Sequence, residues 1–430
     1  MRVAEQPVLR DIVLVGGGHS HVVVLRRFAM RPETGVRLTV ICTDTHTPYS
    51  GMLPGYIAGH YRYDEVHIDL RRLAGFAGAR YFRDEVVGLD RAQRKVLCRH
   101  RPPVAYDCLS INIGSMPAVN RVEGAAEHAI PVKPIRRFNE RWLALLERVR
   151  RHAGQTTIAL VGAGAGGVEL TLAMQYRLRN ELQALGHDPD DLRFHLFSAD
   201  RDILPTHNAR VRRSFERVLA ERGVVVHRAA EVIAVTDGQL HTGNGETLAA
   251  DEIIWVTQAG GAAWLPDTGL ALDDSGFVQV RDSLQTVSDP LIFAAGDCAA
   301  MLATPLEKAG VFAVRQGRPL ADNLRRAVLG QPLHAYRPQA RWLALISTGD
   351  RYAIASRGAL HVDGAWVWRW KDWIDRRFMA KFSDLPPMVA KPLAGVASVP
   401  LDKVESAQAI SAIAMRCGGC GAKVGATVLS

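Results

Sequence analysis

Cysteine is scarce, with six in 430 residues, and Cys42, Cys98, Cys108 and Cys298 each stand alone. So sparse a set excludes a disulfide-stapled secreted framework and leaves reduced thiols as the expectation. Long apolar runs are absent too: none reaches the roughly 18 residues of a spanning helix, and Arg10-Asp11 breaks the N-terminal stretch before a signal-peptide core forms. A cytoplasmic protein is expected, with peripheral contact at the inner face of a membrane left open. Neither charge sign dominates, since 53 Lys+Arg face 44 Asp+Glu for a net +9. That excess suits an anionic partner, a dinucleotide or an acidic membrane surface. Nucleic acid is set aside because no recognised binding module accompanies the charge. With 48% hydrophobic and 23% charged residues the chain is not disordered, and its length, about three times a single domain of roughly 150 residues, implies two or three domains.

What is present begins with glycine. From Asp11 the sequence reads DIVLVGGGHSHVVVLRRF, an apolar strand, a glycine turn and then apolar positions at helical spacing. The run RLTVIC from Arg37 follows, and strand, helix, strand implies a parallel pair with a right-handed crossover. The same grammar returns at Thr157, TIALVGAGAGGVELTLAM, with RFHLFSAD after it. Such a turn holds a pyrophosphate, because the helix N-terminal N–H groups point outward and glycine lets the backbone approach the phosphates. Gly162, Gly164 and Gly167 complete a G-x-G-x-x-G. In the first loop Gly16 and Gly18 remain for phosphate contact, but His21 replaces the third glycine and should push helix and strand apart. The ribose-binding acid about twenty residues on is missing from both units. Asp44, two residues beyond Cys42, is a candidate substitute in the first, and Ser198 with Arg201 stands in the second, an arrangement that tolerates a 2′-phosphate. NADPH is thus expected slightly ahead of NADH, which Asp200 would serve from a shifted position.

Further on, TPLEKAGVFAVRQG carries Thr304 as N-cap, Pro305 at the first helical position and Glu307 closing a capping box, so a helix is expected to start there. A smaller unit from Tyr336 has two strand-like runs and then WVWRWKDWIDRRFMAKF as a helix. On it Trp366, Val367, Trp370, Trp373, Ile374 and Phe378 are expected to share one face, suited either to covering protein or to lying in a membrane interface.

Two glycine loops bracketing NIGSMP (112–117), followed by GFVQVRDSLQTVSDPLIFAAGDCA (276–299), resemble the two-dinucleotide-fold flavoproteins of the pyridine-nucleotide oxidoreductase superfamily. Within it the chain looks most similar to type II NADH dehydrogenases and sulfide:quinone reductases. The resemblance implies FAD and NAD(P)H as cofactors. It places FAD against Gly16, Gly18, Asp44, Pro48, Gly114 and above all Asp297, the aspartate of AAGDCA that would hold the ribitol. NAD(P)H would lie on Gly162, Gly164, Gly167, Ser198 and Arg201, with Glu169 near the nicotinamide and Lys308 as an added charge beside the flavin. The family's disulfide-reducing branch has a redox cysteine pair where this chain has TPYSGMLPGYIAG (47–59), which contains none. Electrons would therefore pass from FAD to a separate small-molecule acceptor, a quinone or another non-disulfide compound, unless Cys108 or Cys298 handles sulfur.

The tail CGGCGAK is similar to the N-terminal catalytic segment of selenide, water dikinase, whose cysteine and lysine match Cys420 and Lys423. The oxidoreductase resembles the module fused ahead of such dikinases, which adds a dikinase domain as a partner. Half of a zinc site is the other reading of Cys417-x-x-Cys420, although no second pair follows. The expected fold class is α/β: two Rossmann-like dinucleotide-binding domains, the NAD(P) domain inserted in a discontinuous FAD domain, plus a small α+β C-terminal region. The expected divisions are 1–130 and 266–335 for FAD, 131–265 for NAD(P), 336–383 for the α+β region, 384–414 for a proline-bearing linker and 415–430 for the dikinase-like segment. Two rival functions stay open, a sulfide- or selenide-oxidising quinone reductase and a low-turnover redox-sensing scaffold.

Overall fold

The computed structural model describes residues 8–117, 119–151, 154–257, 259–386 and 399–400. The first unit opens with β1 (Arg10–Val15), α1 (His19–Met30), β2 (Val36–Cys42), β3 (Arg80–Arg83) and β4 (Cys108–Ile111). The second contains β5 (Ile130–Pro131), α2 (Ile135–Arg151), β6 (Thr156–Val161), α3 (Ala165–Ala184), β7 (Leu192–Phe197), β8 (Val225–His227) and β9 (Glu252–Trp255). The chain then returns with β10 (Ile292–Ala294) and α4 (Gly310–Val328), and ends in β11 (Ala344–Ser347), β12 (Ala353–Arg357), β13 (Leu360–Gly364) and α5 (Ala365–Ser383).

Two five-stranded sheets result, ordered β10-β4-β1-β2-β3 and β5-β9-β6-β7-β8, and every pairing within them is parallel. Their central strands are continuous apolar runs, as strands covered on both faces must be; Ile12, Val13, Leu14, Ile158, Ala159 and Leu160 are all fully buried. The strand orders reverse at β1 and at β6, which opens a crevice at the carboxyl end of each. Register makes each crevice a common edge. Val15 is level with Ile41 and Ile111, and Ile111 with Ala294, while Val161 is level with Phe197 and Trp255.

Three expectations are corrected. His21 does not push α1 off β1: its Nδ1 lies 2.7 Å from the Gly16 carbonyl and its Nε2 2.8 Å from Ser110 Oγ, so the buried ring joins helix, turn and β4 in place of a glycine contact. The helix after Asp297 starts at Gly310 rather than Thr304. No capping box forms; Lys308 instead reaches the Ala299 carbonyl at 2.7 Å and lies over the Phe277 ring at 3.9 Å, in a non-helical segment.

On α5 the expected apolar face divides. Val367, Lys371, Asp375, Met379 and Phe382 turn inward, while Trp366, Trp370 and Trp373 are 51%, 37% and 56% exposed. The inward stripe follows i, i+4 spacing with a last step of i, i+3 and carries the Lys371–Asp375 ion pair, so the helix covers this chain's own body. No helix among the described residues is long and apolar enough to cross a membrane. Within the proline-bearing segment, Val399 is buried and the Pro400 carbonyl accepts from Arg10 at 3.1 Å. Cys417, Cys420 and Lys423 lie outside the described residues.

Candidate functional site

The first crevice gathers residues that are far apart in sequence. Gly16 and Gly18 follow β1, Asp44 follows β2, Gly114 follows β4 and Asp297 follows β10. Asn112, the first residue of NIGSMP, ties them together. Its Oδ1 accepts from the backbone N–H of Ser20 and His21 at 3.1 and 3.3 Å, its Nδ2 donates to the Ala295 carbonyl at 2.6 Å, and its own carbonyl accepts from Gly18 at 3.0 Å. A Cβ at Gly16 would lie 2.5 Å from the Asn112 carbonyl oxygen, and one at Gly18 would lie 2.2 Å from its Oδ1. Both glycines are therefore required by protein contact as well as by any phosphate.

Gly114 is the open position: φ is +74°, and an added Cβ would meet nothing within 4 Å. Asp44 ion-pairs with Arg136 of α2 at 3.3 Å, and Pro48 lies in a short strand, His46–Pro48, beside the crevice. The cation bonded to Asp297 is Lys133, with its ammonium 2.8 Å from the carboxylate and 2.8 Å from Ser115 Oγ. The isolated lysine in PVKP, just ahead of α2, was the available signal for it. An open glycine and an anchored carboxylate at a strand-order reversal fit a dinucleotide with a polyhydroxyl chain.

The second crevice shows the three glycine roles separately. Gly162 turns the chain at φ +117°, a Cβ at Gly167 would strike the Gly162 carbonyl, and Gly164 faces open space at the head of α3. These residues fit a dinucleotide diphosphate. Ser198 is turned inward, 3% exposed, with Oγ donating to the Asp202 carbonyl at 3.3 Å, which leaves Arg201 exposed at the ribose end of β7. Glu169 is held by β11, since its Oε1 accepts from the Ser347 N–H at 2.7 Å and Oγ at 3.1 Å. Burial pushes its carboxyl above the usual range, and the Lys371 ammonium and the Ser347 bonds oppose this.

A third group lies near Asp297, which acts on its His19. Tyr49 stacks on Phe378 of α5 at 4.5 Å between ring centroids, and His19 meets Tyr49 edge-on at 5.6 Å and Phe378 at 6.5 Å. The Tyr49 hydroxyl faces Asp375, so burial and that carboxylate both raise its pKa. Asp375 is paired with Lys371 at 2.6 Å, and Lys371 also donates to the Gly51 carbonyl. This run from Glu169 through Lys371 and Asp375 to Tyr49 was missed in the sequence, although Lys371 and Asp375 at i, i+4 in an aromatic helix were a readable signal.

The four described cysteines are unpaired. Cys108 and Cys298 are buried 2% and 0% exposed, and burial pushes the Cys298 and Cys98 thiols up to about 11 and raises Cys108 and Cys42 as well. None is a thiolate at neutral pH, so none is an activated nucleophile.

The family model for pyridine nucleotide-disulphide oxidoreductases matches residues 10–320. The "NADH dehydrogenase-like protein YutJ" of Bacillus subtilis is 23% identical over 340 residues, 77% of this chain and 87% of that protein. A "Type II NADH:quinone oxidoreductase" of Haemophilus influenzae is 28% identical over 223 residues, 46% of this chain and 50% of that protein. Among solved structures, the sulfide:quinone oxidoreductase of Aquifex aeolicus superposes with a TM-score of 0.73 at 17% identity, covering 87% of this chain and 92% of the other. With both dinucleotide crevices in place, the chain belongs to the pyridine nucleotide-disulphide oxidoreductase family and is an FAD-dependent NAD(P)H oxidoreductase.

Proposed function

We propose that the protein takes hydride from NAD(P)H and delivers the electrons to a quinone. The observation that carries this reading is the wall of His19, Tyr49 and Phe378 beside Asp297, because a flat, largely apolar acceptor is matched by stacked rings, whereas a disulfide would need a cysteine pair there. FAD, when bound, supplies the two-electron relay between nicotinamide and acceptor. The chain holds and aligns: Gly164 and the head of α3 take the NAD(P)H diphosphate, Asp297 and Gly114 take the ribitol side of FAD, and Glu169 orients the carboxamide from its fixed position on Ser347. Sulfide or selenide oxidation would call for a thiolate, and the protonated state of the described cysteines weighs against it. Anaerobic titration tests the reading. NADPH or NADH should bleach the flavin and a quinone should restore it; bleaching by sulfide or selenide and not by NAD(P)H would overturn it.

The inward turn of Ser198 shifts the expected NADPH contact to Arg201, whose guanidinium can meet the 2′-phosphate at the surface. Arg201→Ala should lower kcat/KM for NADPH about tenfold, about 1.4 kcal/mol, and change NADH less than about twofold. Equal losses for the two nucleotides would remove Arg201 from specificity. The tail with Cys420 and Lys423 supports a link to selenophosphate formation. Deleting residues 401–430, which keeps the docked Val399 and Pro400, should leave FAD content and NAD(P)H oxidation intact while abolishing any contribution to selenophosphate in cells. A deletion that loses FAD would make the tail part of the reductase.

A further inference from the structure

His19 is the first residue of α1, directly after the glycine turn, and its Nε2 is buried without a hydrogen-bond partner. A buried polar nitrogen left in that state costs about 1–3 kcal/mol, so such a group in a crevice points to a ligand atom. Two features of the site reach the ring. Burial lowers its pKa, the nearby Asp297 carboxylate opposes this and the Lys133 ammonium adds to it. Tyr49 and Phe378 of the aromatic wall pack against it. Its neighbour in the motif, His21, has both nitrogens engaged by Gly16 and Ser110 and accounts for itself structurally. His19 does not.

We propose that His19 is the proton-transfer residue of the acceptor side: Nε2–H hydrogen-bonds to a carbonyl oxygen of the quinone and hands it a proton during reduction. The inference rests on the quinone reading above. The reaction balances. A quinone becomes a hydroquinone by taking up two electrons and two protons; hydride originating in NAD(P)H brings both electrons and one proton. The second proton leaves His19 Nε2 for the oxygen as a proton from water enters at Nδ1, so the imidazole ends neutral and NAD(P)+ is the oxidised product. Burial keeps the ring neutral, with a pKa lowered to about 4, which is the state this exchange between two nitrogens uses.

Two substitutions in the FAD-loaded protein test it. His19→Phe keeps the aromatic packing and removes the nitrogen. It should keep FAD, be reduced by NAD(P)H within about twofold of wild type, bind a soluble short-chain quinone about tenfold more weakly at equilibrium, and be reoxidised by that quinone about 100-fold more slowly. Reoxidation by ferricyanide, which takes one electron and no proton, should stay within about twofold. His19→Gln restores an N–H close to the Nε2 position, so quinone binding should return while quinone reoxidation stays slow, a split that a packing role would not produce. Unchanged reoxidation by quinone, or equal slowing with both acceptors, overturns the proposal. Loss of FAD in both variants also overturns it and makes His19 a cofactor-packing residue. Failure of NAD(P)H to bleach the wild-type flavin is a separate result and would fall on the quinone-reductase reading instead.

Discussion

Asp297→Ala protein should purify folded and largely colourless. The carboxylate sits at the end of β10, 2.8 Å from Lys133 and 3.4 Å from Ser115 Oγ, on the edge where β1, β2 and β4 also end. A hydrogen bond to a charged group is worth about 1.5–3 kcal/mol, so losing one to the ribitol weakens FAD by roughly 10- to 100-fold, enough to strip it during purification. The substitution also leaves the Lys133 ammonium unpaired beside the crevice, which adds to the loss. Asp297→Asn keeps an acceptor oxygen and should retain more flavin than alanine. The check is the ratio of flavin to protein absorbance together with far-UV circular dichroism. A folded alanine variant with full FAD content would refute the assignment of Asp297.

The parts of this architecture that were legible in the sequence are those written in local spacing. Apolar runs of strand length followed by a glycine turn and helical periodicity identify β1–α1 and β6–α3, because a parallel strand buried on both faces has no polar alternative. The glycine loop of the second unit was legible in its turn: Gly162 takes a positive φ and Gly167 leaves no room for a Cβ against the Gly162 carbonyl, while Gly164 faces open space. What depends on long-range packing was not legible. The capping box at Thr304 is a sound local signal, yet the helix starts only at Gly310, and Lys308 just ahead of it is engaged by the Ala299 carbonyl and the Phe277 ring. His21 offends the glycine rule only while its ring is treated as bulk. With Gly16 and Ser110 as partners it becomes a tie, and the partner on β4 lies 89 residues away. Lys133 was hidden for the same reason, since its partner Asp297 is 164 residues on.

The tryptophan-bearing helix gives the sharpest case. Read by hydrophobicity alone, α5 should bury its tryptophans, but it packs Trp368 against the core, turns Trp366, Trp370 and Trp373 outward and buries an ion pair, Lys371 and Asp375, at 8% and 5% exposure. The pair is tolerated because the Gly51 carbonyl takes another ammonium proton and Tyr49 faces the carboxylate. It also connects the aromatic wall to Glu169, which the Lys371 ammonium favours in its charged form.

Lys371→Met should therefore be among the most destabilising single changes in the C-terminal unit. Methionine fills the stem's volume but leaves Asp375 buried without its counter-charge. Removing one partner of such a pair costs about 3–5 kcal/mol, far above the median for an exposed pair. The double substitution Lys371→Met, Asp375→Leu removes both charges and should recover most of the loss, because burying apolar groups of similar volume leaves nothing unpaired. Denaturant unfolding of the four proteins of this cycle measures the coupling. If Lys371→Met unfolds within about 1 kcal/mol of wild type, or the double variant is no more stable than the single one, then water reaches Asp375 and the pair does not organise the acceptor side of the site.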